Sequence, residues 1–99
     1  MPIFAFMFKV KPLFGSPDYG VAASGYACVY VCDDVPKRAV DKALQRVKDE
    51  GYRYIRTEKS GEAEITDKTP EEQRAMMAKA EKHGVSSVFV LTKEKTGSN

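Results

Sequence analysis

The sequence contains little of the material from which catalytic and metal sites are usually built. Its 99 residues include one histidine and two cysteines, too few for the common clusters of metal ligands. It has no dense glycine run followed by Lys and then Ser or Thr, which excludes a phosphate-binding loop of that kind. Its 16 basic and 14 acidic side chains nearly balance, a pattern that does not indicate strong binding to DNA or anionic lipid.

The length predicts one domain, because typical domains run to roughly 100–150 residues. We expect residues 1–92 to form it and residues 93–99 to form a polar tail. The hydrophobic segment 2–8 lacks the basic start and cleavage site of a signal peptide, and a bilayer span needs roughly 20 residues. Cys28 and Cys32 fall in one predicted strand, roughly 13 Å apart, which is too far for a disulfide. Two thiols that do not bridge each other favour a cytoplasmic location.

Hydrophobic periodicity predicts five strands and two helices. The strands are expected at residues 3–10, 25–32, 52–57, 62–66 and 85–92, with a turn at 59–61. The first helix follows Asp33 and Asp34, which offer a capping carboxylate, and ends at Gly51. The second follows the capping-box sequence 69–72 and ends at Gly84. The segment 12–20 is rich in Pro and Gly and is predicted to be a long loop.

Without the first strand, the element order is that of the ferredoxin-like split βαβ sandwich, βαββαβ. The chain therefore resembles small ferredoxin-like α+β domains, with an additional N-terminal strand. That architecture implies an antiparallel sheet with two helices on one face, and strands 24–32 and 85–92 side by side in its middle. The first strand is apolar on both faces, Phe4, Phe6, Phe8 and Val10 on one and Ile3, Ala5 and Met7 on the other, which predicts a strand covered on two sides.

The alternation of the second strand predicts a tyrosine-bearing face. If Ala27, Val29 and Val31 meet the helices, then Tyr26, Cys28, Tyr30 and Cys32 line the open face. Placing Ile55 inward in the next strand adds three more outward residues, Tyr52, Tyr54 and Arg56. Large exposed apolar patches usually mark interfaces, so we predict a binding site on this face. Its residues are Tyr26, Tyr30, Tyr52, Tyr54 and Arg56, together with Tyr19 of the predicted long loop.

Three interpretations of that face remain open. The first strand or the 12–22 loop folds over it, two copies pair as a homodimer, or single-stranded nucleic acid stacks on the tyrosines. The acidic strand containing Glu62 and Glu64 argues against nucleic acid, because it would repel phosphates. The leading hypothesis is a non-enzymatic binding or regulatory domain, such as an immunity-type protein, that dimerises through its sheet and N-terminal strand. The chain suggests no cofactor.

An enzyme of the dimeric α+β barrel type is the alternative from a different class. Its candidate residues are Tyr26, Tyr30, Tyr54 and His83. His83 has a simpler role as a cation at the end of a helix, where it stabilises the helix dipole. Paired carboxylates can transfer protons, yet the pair Glu62 and Glu64 also suits a charged edge strand.

Overall fold

A computed structural model describes residues 2–13 and 22–93. Its elements are strand β1 (Ile3–Pro12), strand β2 (Ala22–Cys32), helix α1 (Pro36–Asp49), strand β3 (Tyr52–Ala63), helix α2 (Glu71–His83) and strand β4 (Val85–Lys93). The α+β class is confirmed: the four strands form one antiparallel sheet, accompanied by two helices. Tyr19 and residues 94–99 of the expected tail lie outside the described residues.

The strands are arranged in the order β3-β1-β2-β4. β1 pairs antiparallel with both β2 and β3, so these two strands run parallel to each other with β1 between them. β2 also pairs with β4, which confirms that these strands are neighbours, but β4 lies at the edge of the sheet and not in its middle. The chain therefore has the order ββαβαβ, which differs from the expected βαββαβ core with an added strand.

One face of the sheet, here called the α1 face, carries the main core. Phe6 lies opposite Val29 and Phe8 lies opposite Ala27, and all four side chains are buried. Helix α1 packs onto them through three residues at helical spacing, Ala39, Ala43 and Val47. The predicted alternation of β1 and β2 is confirmed on this face.

The other face, here called the α2 face, is covered in part by the second helix. Met77 of α2 forms a second buried cluster with Ile3 and Cys32, against which Tyr30 and Ala63 also pack. The helices therefore lie on opposite faces of the sheet, and the expectation of two helices on one face is wrong. The reason is visible in β1, whose two apolar faces each need a cover, as the sequence predicted.

β3 is a single strand where two strands and a turn were expected. Ser60 pairs with Phe6 and Gly61 pairs with Ala5, so the ladder continues through the expected turn because β1 is long enough to extend it. β3 ends at Ala63, and residues 64–66 are not in a strand. Two register shifts leave Ile55 and Glu58 without a partner in the ladder, which identifies them as β-bulges.

The helix ends follow the glycine predictions but not the capping predictions. Gly51 and Gly84 follow α1 and α2 with φ angles of 91° and 88°, values that favour glycine. The N-cap positions are Val35 and Pro70, whose side chains carry no hydrogen-bond acceptor, so the expected capping box does not form. Asp33 instead accepts a hydrogen bond from the backbone N–H of Val35 at 2.9 Å.

Candidate functional site

Two of the predicted tyrosines lie on the face opposite α1, but this face is covered in part by α2 and is not the open face that was expected. Tyr30 lies opposite Ala5 near the buried cluster of α2, while Tyr26 lies opposite Lys9, farther from that cluster. Tyr26 is 37% exposed. The two residues differ because a helix of 13 residues spans about 20 Å, whereas strands of 10 to 12 residues run for about 30–40 Å. Among the described residues, none of the helices or strands covers the remaining part of the α2 face, which is here called its open part.

Tyr52 and Tyr54 lie on the α1 face, and their prediction as open-face residues is wrong. Tyr52 is buried and its ring stacks on Phe89 with 4.4 Å between centroids. Tyr54 lies edge-on to Phe8 at 5.4 Å. The bulge at Ile55 explains the error, because it interrupts the alternation, so that Arg56 lies on the α2 face while Tyr52 and Tyr54 lie on the α1 face.

The residues of the barrel-enzyme alternative are not brought together. Tyr26 and Tyr30 are on the α2 face, whereas Tyr54 is on the α1 face. His83 is exposed in the last turn of α2, where a cation complements the helix dipole. Tyr19 cannot be placed beside them, because it lies outside the described residues.

Basic side chains from two strands meet on the open part of the α2 face. Lys9 of β1 lies between Tyr26 on one side and Arg56 on the other, and Lys11 lies opposite Arg53. We call Lys9, Lys11, Arg53 and Arg56 the basic patch. All are exposed except Lys9, which is half-buried between its two neighbours. Sequence reasoning missed three of the four, although the α2 face of β1 changes from apolar to basic at Lys9.

The β4 edge is a second exposed feature that sequence reasoning missed. β4 ends the strand order, so among the described residues its outer side carries no further strand. Val88 and Val90 are 46% and 60% exposed on the α2 face. No charged residue occurs from position 85 to 92, a composition with high β propensity. An edge strand of this kind is a template for pairing with another chain.

A groove of about 510 Å³ lies between α2 and the strands β2 and β4. Cys28, Tyr30 and Val88 line it from the sheet, and Glu72 and Met76 line it from the helix. Burial raises the pKa of the Cys28 thiol, which keeps it protonated and weakly nucleophilic. Burial, and then the nearby Cys28, raise the pKa of Tyr30 as well. Among the described residues, the groove therefore contains a protonated thiol and a protonated phenol, without an activated nucleophile.

The buried carboxylate of Asp33 has a structural environment. Its oxygens accept hydrogen bonds from Arg38 Nε at 2.9 and 3.1 Å, and Lys42 Nζ lies 2.8 Å away. The hydrogen bonds from Arg38 and then Lys42 hold the pKa of Asp33 well below its usual range. This carboxylate is ionised near neutral pH and paired with two cations, so it joins the end of β2 to α1 and does not transfer protons there.

Within residues 2–13 and 22–93, no group of three or more His, Cys, Asp or Glu side chains is placed to hold a metal ion. Neither helix in this part of the chain is long and apolar enough to cross a membrane. Comparisons with protein-family models, with curated proteins and with solved structures found no match.

Proposed function

We propose that this protein is a non-enzymatic binding domain that works as a homodimer, with β4 pairing to β4 of a second copy. The observation that carries the proposal is the contrast between the two edges of the sheet. β4 is uncharged from position 85 to 92 and exposes Val88 and Val90. Such an edge recruits a further strand unless the sequence prevents it.

The opposite edge has the features that prevent pairing. β3 contains two bulges, at Ile55 and Glu58, which interrupt its hydrogen-bonding ladder. It also carries exposed charged side chains along most of its length, namely Arg53, Arg56, Glu58, Lys59 and Glu62. Bulges and charges are the usual protection of an edge strand. Because β3 has both, whereas β4 has no bulge and a single charged residue, Lys93 at its end, β4 is the edge suited to a partner.

A second copy is the occupant that fits this edge best. β1 pairs on both sides with strands of its own chain, so it has no edge at which a second copy could pair. We therefore place the dimer interface at β4 and not at the N-terminal strand. Antiparallel pairing over the full length Val85–Lys93 places Phe89 on the two-fold axis. Val88 then lies opposite the partner's Val90, so the most exposed apolar side chains of the edge contact each other.

The roles of the ionisable groups support a non-enzymatic function. Asp33 is held by two cations, and His83 completes the last turn of α2. Cys28 and Cys32 do not form a disulfide with each other, which fits the reducing cytoplasm, where we place the protein. Asp33 and His83 therefore have structural roles in the domain.

Light scattering over a dilution series tests the proposal. The wild type is expected at twice its 11.0 kDa chain mass, and Val90→Lys at the chain mass, because it places two like charges near the axis. Val90 is 60% exposed, so the variant chain still folds. Ser60→Lys on β3 is the matched control and is expected to remain dimeric. A wild type that is monomeric at every concentration would refute the homodimer and favour an immunity-type protein with a different partner.

A further inference from the structure

We propose that the open part of the α2 face binds single-stranded nucleic acid, with the basic patch contacting phosphates and Tyr26 stacking on a base. This surface is distinct from the β4 edge, and the inference does not depend on dimerisation. It rests on which side chains the strand register brings together.

The positive charges of the basic patch are concentrated by the fold and not by the sequence. Lys9 and Lys11 come from β1, while Arg53 and Arg56 come from β3, more than 40 positions later in the chain. Antiparallel pairing places Lys9 beside Arg56 and Lys11 beside Arg53, so four cations share one surface. Strand neighbours lie about 4.8 Å apart, a spacing at which like charges repel unless an anion neutralises them.

Acidic side chains offset little of this charge. Glu58 pairs with Arg56 and neutralises one of the four cations. Glu72 lies at the start of α2, beside Tyr30 and Val88, at the border of the open surface. The other acidic residue of β3, Glu62, lies opposite Phe4 on the α1 face, so it does not face the basic patch as the sequence had suggested. The patch is thus positive although the whole chain carries only +2.

Tyr26 adds an exposed aromatic ring to the positive charges of the basic patch. Its partly exposed ring lies in the same cross-strand row as Lys9 and Arg56, with Val90 on the other side. An aromatic ring on a sheet, flanked by cations, is the arrangement by which proteins hold unpaired bases and the adjoining phosphates. An anionic membrane or an acidic protein would need the cations without the ring, so the exposed ring favours single-stranded nucleic acid.

Fluorescence anisotropy with a dye-labelled oligothymidylate tests the proposal on the full chain. The salt dependence is expected to have a log–log slope of about 2–3, because each phosphate contact on a single strand contributes about 0.7. Arg53→Gln, which leaves the ion pair between Arg56 and Glu58 intact, is expected to lower that slope by about 0.7. Tyr26→Leu is expected to weaken binding about 5-fold or more, which corresponds to the loss of one stacked base. Lys37→Gln, an exposed lysine of α1, is the control of equal charge and is expected to bind as the wild type does.

Two further measurements separate nucleic acid from other anionic partners. Heparin, a polyanion without bases, and phosphatidylserine vesicles are titrated with the wild type and with Tyr26→Leu. The proposal expects the tyrosine variant to lose affinity for the oligonucleotide alone. Equal binding of the oligonucleotide by wild type and Tyr26→Leu, or no oligonucleotide binding at low salt, would overturn it. Circular dichroism confirms that each variant is folded before it is compared.

Discussion

Gly84 joins α2 to β4, and its backbone conformation lets us predict how much stability an alanine at this position would cost. Its φ of 88° is a value that side chains other than glycine rarely adopt. A Cβ added at Gly84 would meet no described atom within 4 Å, so an alanine would be strained by the backbone alone. Gly61 offers a matched control, because its added Cβ also meets no described atom within 4 Å, but its φ is not positive.

The two alanine variants share one effect and differ in another. Gly→Ala restricts the unfolded chain and stabilises a protein by about 0.4–1 kcal/mol where the native conformation allows it. At Gly84 a strain of about 1–2 kcal/mol opposes this gain. Gly61→Ala should therefore raise the free energy of unfolding. The free energy of unfolding of Gly84→Ala should be about 1–2 kcal/mol lower than that of Gly61→Ala. For a domain of this size each kcal/mol moves the melting temperature by about 4–8 °C.

Urea denaturation followed by far-ultraviolet circular dichroism measures both free energies. The slope of the free energy against urea should be equal in the two variants, since neither changes the surface exposed on unfolding. A Gly84→Ala protein as stable as Gly61→Ala would refute the conformation assigned to the α2–β4 junction. The junction matters for function, because the carbonyl of Gly84 accepts the Cys32 N–H at 2.9 Å and so aligns β4 on β2.

Two further predictions concern the buried clusters. Folding lowers the pKa of Asp33, so its ionised form stabilises the protein above the unfolded value of about 3.9, and this contribution is lost as the pH falls through the lower folded value. Asp33→Asn should therefore have a lower urea midpoint than the wild type at pH 7, and the difference between the two midpoints should be smaller at pH 3. A difference that is the same at both pH values would contradict the ion pairs of Asp33 with Arg38 and Lys42. Met77→Ala should lower the free energy of unfolding by about 2–5 kcal/mol, because the Met77 side chain of α2 is buried against the sheet. Val88→Ala should lower it far less, because Val88 is exposed. If thermal melts showed equal losses of stability in Met77→Ala and Val88→Ala, α2 would not cover the α2 face of the sheet.

The sequence predicted those parts of the fold that depend on regular alternation. The residues of β1 and β2 share faces as expected, and the two apolar faces of β1 are both covered. Cys32 and Tyr30, however, were expected on an open face and instead pack under α2. The prediction failed where the alternation is interrupted. The bulge at Ile55 reverses the orientation of Tyr52 and Tyr54, and no local pattern of side chains identifies a bulge.

The helix arrangement and the basic patch depend on long-range pairing. β1 and β2 pair as antiparallel neighbours, and this pairing, together with that of β1 and β3, makes β1 a central strand. With β1 in the centre, its second apolar face needs its own helix, a consequence that the ferredoxin-like expectation did not draw. The meeting of Lys9 with Arg56 likewise follows from register and not from sequence spacing.

Amide hydrogen exchange of β4 tests the central claim, pairing between two β4 strands, most directly. In an edge strand, alternate N–H groups point toward β2 and the others point into solvent, so a monomer protects every second amide. We predict protection of consecutive amides from Ser86 to Val90 in the wild type, reverting to alternate protection in Val90→Lys. Alternate protection in a wild-type sample that light scattering shows to be dimeric would contradict the account, because the two copies would then meet elsewhere.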